Sequence, residues 1–247
     1  MKISIVTVCY NSEKTIKKSI ESVLCQNYAD LEYIIIDGGS SDSTLAILSE
    51  YADCNFKVIS ELDDGIYDAM NKGFNQVTGD VVAFLNSDDH YSNNRVIESV
   101  MEKFETELVD FIYGNIEFVN QDGIITRRWN VGEIKDGILR SQQIPHPAFF
   151  CRSDAIRRLN IPFDDKLKIC GDLKQQLYLL NKYKIQGIYI DQVLVTMKLG
   201  GASTSGLRAS LLGWIEAVRV YNEVEGQGGL LYVFRKVLGK VRGLFVI

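Results

Sequence analysis

Apolar residues crowd positions 3–9 (ISIVTVC), then thin to helical spacing, with Ile16, Ile20, Val23 and Leu24 on one side of residues 12–26. The first pattern is a buried strand. The second is an amphipathic helix with Asn11 or Ser12 as its N-cap. The alternation repeats as strand 32–36 and helix 42–51, strand 56–60 and helix 66–77, strand 80–86 and helix 93–104. Four strand–helix units in succession predict an α/β fold with a Rossmann-like, mainly parallel sheet flanked by helices. Beyond residue 110 the rhythm loosens. Residues 111–119, 147–152 and 189–199 have strand patterns, whereas EIKDGILR (133–140) and GDLKQQLYLLNKY (171–183) have helical ones. This second half is expected to finish the sheet and add a wall beside it, with no Pro/Gly/Ser linker between the halves.

Open parallel sheets bind ligands at the carboxyl ends of their strands. Unusual residues gather there: Tyr10 and Asn11 after the first strand, Asp37 with GGSSDST after the second, Glu61, Asp63 and Asp64 after the third, and Asn86 to Asp89 after the fourth. In FLNSDDH (84–90) an apolar strand runs into adjacent carboxylates, which repel each other unless something positive lies between them. A hard divalent cation, Mg²⁺ or Mn²⁺, takes oxygen ligands and shares them with ligand phosphates. Taken alone, SDD also suits a helix cap or turn, and Asp37 suits a turn before two glycines. Its place in line with three other polar strand ends favours the cation.

Composition narrows the choices. With 247 residues, 46% of them apolar, the chain can bury a substantial core as one globular unit. A net charge of −5 argues against nucleic acid as the main ligand. Five cysteines without CxxC spacing fit reduced thiols in a cytosol, and only two histidines, His90 and His146, weaken any His-rich metal site. No run of about 18 apolar residues predicts a transmembrane helix, and ISIVTVCY lacks a cleavage pattern behind it. Cys9-Tyr10-Asn11-Ser12 is not the GxGxxG of a Rossmann dehydrogenase, and the first strand lacks the basic, Gly-rich loop expected of a nucleotidyltransferase.

Four ordered blocks, TVCYN (7–11), IIIDGGSSDST (34–44), SELDDGIYDAMNKG (60–73) and FLNSDD (84–89), resemble the inverting family 2 glycosyltransferases of the GT-A fold. The similarity extends over about residues 1–205 and is strongest to the bacterial branch that assembles colanic acid, O-antigen and capsule. It implies a GT-A domain over 1–205, with a nucleotide-sugar half at about 1–110 and an acceptor half at about 111–205, followed by a C-terminal helical appendage at 206–247. The implied function is metal-dependent transfer of a sugar from a nucleoside-diphosphate sugar to a saccharide or lipid-linked saccharide hydroxyl. A non-catalytic sugar-nucleotide binder is the alternative, with a nucleotidyltransferase behind it.

By resemblance, Thr7, Tyr10, Asn11, Asp63 and Asn71 belong to the donor blocks, and Asp37 contacts the base or ribose. Asn86 stands at the first position of the family's DxD-like metal motif, keeping an oxygen ligand but losing a charge, so Asp88 is the first metal ligand and Asp89 its support. The family's general base opens a helix in the second half; Asp172 in KICGDLKQQ fits, with Asp164 and Asp165 as competitors. His146 in IPHPAFF is expected at the diphosphate or acceptor, and Lys198 with Gly200, Gly201 and Ser203 in a loop closing over the donor.

From Gly228 to Ile247 the chain has Arg235, Lys236, Lys240 and Arg242 and no acid, with Leu230, Phe234, Val237, Val241 and Leu244 at helical spacing. A basic amphipathic helix of this kind lies in an anionic membrane interface, or docks on the domain or on a second copy. The expected location is cytoplasmic, peripheral on the inner face of the cytoplasmic membrane; homo-oligomerisation is left open.

Overall fold

The computed structural model describes residues 1–198 and 207–243. The chain runs β1 (Ile3–Cys9), α1 (Ile16–Leu24), β2 (Leu31–Asp37), α2 (Thr44–Ser49), β3 (Lys57–Ser60), α3 (Ile66–Phe74), β4 (Val81–Asn86), β5 (His90–Tyr91) and α4 (Val96–Thr106). It continues through β6 (Phe111–Val119), β7 (Ile125–Trp129), β8 (Phe149–Arg152), α5 (Ser153–Arg157), α6 (Gly171–Gln176), β9 (Gly187–Lys198), α7 (Leu207–Glu225) and α8 (Gly229–Gly243). Among the described residues these strands form one sheet in the order β3-β2-β1-β4-β8-β6-β9-β5, with β7 on β6.

The parallel part is β3, β2, β1 and β4. β8 runs antiparallel to both β4 and β6, so β6 and its parallel partner β9 point the same way as the first four strands. Register aligns the strand ends: Cys9 lies opposite Asp37, Asp37 opposite Ser60, and Val8 opposite Asn86. The polar ends anticipated from sequence therefore form a row.

Side chains alternate across the sheet because successive residues of a strand point to opposite faces. Val6, Val8, Ile34, Ile36, Val82 and Phe84 pack with α3 and α6, in a core that also takes Ala217, Val220 and Val224 of α7 and Tyr232 of α8. Ile3, Ile5, Tyr33, Ile35, Ala83 and Leu85 pack on the other face with α1 and α4.

Three details differ from the sequence expectation. EIKDGILR forms only a short 3₁₀ turn at Lys135–Gly137, because Asp136 and Gly137 take left-handed φ values of 56° and 62°. The helix expected over 171–183 is α-helical only to Gln176 and then widens to i→i+5 turns over Leu177–Lys182. The two-residue β5, held by long-range pairing to β9, and the exposed β7, the return strand of a local hairpin with β6, are additional strands. All five cysteines are free. The proposed closing loop of Gly200, Gly201 and Ser203 lies outside the described residues.

Candidate active site

The loop after β2 is built around Asp37. This carboxylate is wholly buried and accepts hydrogen bonds from the N–H groups of Gly39 (3.1 Å) and Ser40 (3.0 Å), from the Ser60 hydroxyl (2.7 Å) and from the Ser40 hydroxyl. Burial pushes its carboxyl up, but these donors outweigh burial and hold it below the usual range. Asn11, in the left-handed region at φ 48°, joins the same loop: its N–H donates to Ser40 Oγ (2.8 Å) and its Oδ1 accepts from Ser41 N–H (2.9 Å). Asp63 accepts from Gly65 N–H at 3.0 Å and lies so close over Gly38 that a Cβ there would overlap its carboxylate. Tyr10, 62% exposed, stands at the open end of β1.

The turn after β4 holds two unmet acceptors. Asn86 Nδ2 donates to Asp89 Oδ2 at 3.2 Å, while Asn86 Oδ1 and Asp89 Oδ1 are buried with no partner. Burial pushes the Asp89 carboxyl far above the usual range, and the neighbouring Asp88 charge adds to the shift. Burial also raises Asp88, against the pull of Lys198. Buried acceptors of this kind are costly unless paired. Two orphan oxygens, one of them on a buried carboxylate, beside a second carboxylate fit a hard divalent cation. Among the described residues no three His, Cys, Asp or Glu side chains converge, so a cation here would complete its shell with ligand oxygens, as Mg²⁺ commonly does with phosphates.

Beside Asp88 is a cavity of about 150 Å³ lined in part by Lys14, Thr15, Lys18, His90 and Lys198. β5 brings these groups together: His90 pairs with Thr196, which carries the end of β9 and Lys198 to the Asp88 turn. Burial, with Lys18 second, pushes His90 down to about 4, so it is a neutral imidazole at pH 7. Sequence reading missed Lys14, Lys18 and His90. The signal available was Lys14 and Lys18 at i, i+4 spacing opposite the apolar stripe of residues 12–26.

Asp172 is the second residue of α6 and is partly buried. Tyr67 of α3 donates its hydroxyl to Ile169 O (2.7 Å) and lies 3.4 Å from Asp172 Oδ1. Burial, then the Asp172 charge, raises Tyr67 well above the usual phenol range, so it keeps its proton. The loop leading to Asp172 is clamped from outside: Glu216 of α7, itself buried, accepts from the N–H groups of Lys168 (2.9 Å), Ile169 (2.9 Å) and Cys170 (3.0 Å). His146 is buried against Phe84 and Phe163, with ring centroids at 5.4 and 5.5 Å, and neither ring nitrogen has a partner. Burial lowers it while the Asp172 charge opposes the shift, placing the two groups in each other's field. The competitors are otherwise placed: Asp164 is paired with Lys174 at 2.7 Å, and Asp165 is exposed.

Two expected donor contacts are corrected. Thr7 lies two residues inside β1, wholly buried, accepting from the Tyr33 hydroxyl at 3.1 Å. Asn71 is spent on a reciprocal pair with the backbone of Phe163, donating at 2.8 Å and accepting at 3.0 Å. Asp37 accepts from its own loop and from Ser60, so its carboxylate orders the loop that follows β2.

Comparison with known proteins bears on the family and the fold. The family model described as Glycosyl transferase family 2 matches residues 4–158. A relative from Escherichia coli, named UDP-Glc:alpha-D-GlcNAc-diphosphoundecaprenol beta-1,3-glucosyltransferase WfgD, is 36% identical over 50% of this chain and 49% of its own. A PGL/p-HBAD biosynthesis glycosyltransferase of Mycobacterium bovis is 28% identical over 68% of this chain and 66% of its own. The chain spans about half the length of the E. coli relative. Among solved structures, S. aureus TarS 1-349 in complex with UDP-GlcNAc superposes with a TM-score of 0.71 at 21% identity, covering 90% of this chain and 67% of that one. The mannosyltransferase PcManGT from Pyrobaculum calidifontis in complex with GDP-Man and Mn2+ gives 0.67 at 14%, covering 92% and 65%. The fold is that of the GT-A glycosyltransferases. With the family model covering more than half of the chain, from β1 through the Asp88 turn to α5, the chain belongs to glycosyl transferase family 2.

Proposed function

We propose that this chain transfers a sugar, with inversion, from a nucleoside-diphosphate sugar to a hydroxyl of a saccharide or lipid-linked saccharide acceptor in the building of a bacterial surface polysaccharide. The observation that carries the reading is the pair of orphan oxygens on Asn86 and Asp89 beside Asp88, in the same row of strand ends as the loop ordered by Asp37. The E. coli relative's name supplies a UDP-sugar and an undecaprenol-diphosphate acceptor as the model chemistry.

Asp88 and Asp89, with Asn86, would hold a Mn²⁺ or Mg²⁺ ion, whose chemistry here is Lewis-acid stabilisation of a leaving diphosphate. Lys14, Lys18 and Lys198 line the cavity beside Asp88 and add positive charge for the same diphosphate. Asp63, Tyr10 and Asn11 border the nucleoside. Asp172 accepts the proton of the acceptor hydroxyl as its oxygen bonds to the anomeric carbon and the bond to the diphosphate breaks; this single displacement inverts the centre. Tyr67 steadies Asp172, and His146, in the field of Asp172, belongs to the acceptor side. A lipid-linked acceptor brings the protein to the inner face of the cytoplasmic membrane.

The test is calorimetric titration with UDP-, GDP- and dTDP-sugars, with and without Mn²⁺. Asp88→Ala is expected to remove the Mn²⁺-dependent part of the affinity with the fold intact. Asp172→Asn is expected to keep donor affinity and lower transfer by roughly 10²–10⁴-fold. Undiminished Mn²⁺-dependent binding in Asp88→Ala defeats the metal assignment. A wild type that binds a donor and transfers to no acceptor makes the chain a sugar-nucleotide binder.

A further inference from the structure

The two C-terminal helices present an outward face whose composition differs from the rest of the surface. α7 turns Glu216, Ala217, Val220 and Val224 inward. Its opposite side carries Leu211 (57% exposed), Trp214 (46%) and Ile215 (58%), with Arg208 and Arg219 also exposed. Residues 208, 211, 215 and 219 follow each other at three- and four-residue steps and so share a face. α8 repeats the arrangement: Tyr232 is buried and stacks on Tyr221 at 4.7 Å, while Leu230, Leu231, Phe234 and Leu238 are exposed beside Arg235.

The acids of α7 are each paired with another part of the domain: Glu216 is buried, while Glu223, four residues after Arg219, stays 40% exposed at the edge of this face. Glu216 caps the 168–170 amides, Glu223 pairs with Lys174 at 2.6 Å, and Glu225 accepts from Asn181 at 3.0 Å. α8 has no acidic residue at all. On a chain of net charge −5, the outward sides of these helices therefore pair large apolar groups with arginine. Such a face suits the interface of an anionic bilayer, where apolar side chains enter the headgroup boundary and arginines meet lipid phosphates. No helix among the described residues is long and apolar enough to cross a membrane, so the contact is one of lying on the surface.

We propose that the outward faces of α7 and α8 together are a docking surface for an anionic lipid bilayer, with α7 an equal part of it. α8 is thus both docked and lipid-facing: its Tyr232 side seals the core and its Phe234 side is free for lipid. The proposal deepens the transferase reading and takes its functional meaning from it. Through Glu216 the lipid-facing helix holds the loop that leads to Asp172, so the bilayer surface lies about one helix diameter, ~10 Å, from the clamp on the proposed base. A lipid-linked hydroxyl is thereby offered at the acceptor side.

The chain has two tryptophans, Trp129 and Trp214, so a Trp129→Phe background leaves Trp214 as the reporter. With phosphatidylglycerol-containing vesicles the full chain should sediment, and Trp214 emission should shift to the blue; phosphatidylcholine vesicles or high salt should abolish most of both. Arg208→Gln with Arg219→Gln should weaken binding roughly 25-fold, about fivefold for each arginine, and Leu211→Ser with Ile215→Ser should reduce it further. Truncation of α8 would uncover the core, so substitutions carry the test. Both double variants should retain nucleotide binding with Mn²⁺, which shows that they fold and tests the donor site separately. The proposal is overturned if vesicles are ignored, if binding is indifferent to lipid charge, or if the chain is a dimer that Leu211→Ser with Ile215→Ser dissociates while vesicles do not bind. Vesicle binding without sugar transfer would leave the surface standing and remove only the transferase reading.

Discussion

Replacing Asp37 with Asn distinguishes a carboxylate that orders the donor loop from one that touches the nucleoside. In the wild type, Oδ2 accepts from Gly39 N–H, Ser40 N–H and the Ser60 hydroxyl, and Oδ1 accepts from the Ser40 hydroxyl. An asparagine can keep its oxygen on the first three donors and face its amide to Ser40 Oγ, which can rotate to accept. Geometry survives, but three charge-assisted bonds become neutral. Charge assistance roughly doubles a bond worth about 1 kcal/mol, so three such bonds lose about 2–3 kcal/mol. Asp37→Ala, which leaves the donors without an acceptor, should cost about 4 kcal/mol. Urea unfolding of the two variants reads these as midpoint shifts at unchanged slope.

The sign of the pH dependence follows from the depressed native pKa of Asp37. Its stabilising contribution is complete above the unfolded value, about 3.9, and disappears as pH falls through the lower native value. The gap between wild type and Asp37→Asn should therefore be constant from neutral pH down to about 5 and close below about 4. Nucleotide affinity should fall only as far as the loop loosens, by about tenfold. An Asp37→Asn protein as stable as the wild type that nonetheless loses nucleotide binding would refute the reasoning and return Asp37 to direct contact with the base or ribose.

Tyr67→Phe removes the hydroxyl that lies between Ile169 O and Asp172; kcat for transfer should fall about tenfold, the equivalent of one lost hydrogen bond, while donor affinity measured by calorimetry stays level. Gly38→Ala places a methyl against the Asp63 carboxylate, the movable end of a side chain, so thermal unfolding should shift by no more than about 1 kcal/mol equivalent. Donor affinity should still drop about tenfold because Asp63 is displaced; unchanged affinity would remove Asp63 from the donor contacts.

The regular half of the fold was legible because its information is local. The runs at 3–9, 32–36, 56–60 and 80–86 and the helical stripes between them each carry their own period, and parallel strands joined by helices align their carboxyl ends without further instruction. That was enough to place Asp63, Asn86, Asp88 and Asp89 at one edge. What the local pattern cannot carry is which way a polar side chain faces and what it meets. Thr7, Asp37 and Asn71 lie in matching blocks, yet the pleat points Thr7 at Tyr33 and turns Asp37 under its own loop, and α3 spends Asn71 on Phe163, partners separated by 26, 3 and 92 residues.

In the second half the strand patterns at 111–119, 147–152 and 189–199 were legible as β6, β8 and β9, but their order and direction depended on tertiary structure. β8 enters between β4 and β6 against the parallel trend, and β5 becomes a strand only because β9 returns beside it, which is also what brings Lys198 to Asp88. The charge pattern of 207–225 reads as mixed along the chain, with Arg208, Glu216, Arg219, Glu223 and Glu225. Only packing separates it: buried amides, Lys174 and Asn181 satisfy the acids, and solvent keeps the arginines. A sequence fixes which groups are available and at what period, whereas a buried charge is stable only where the fold supplies its partner, and those partners come from elements far away along the chain.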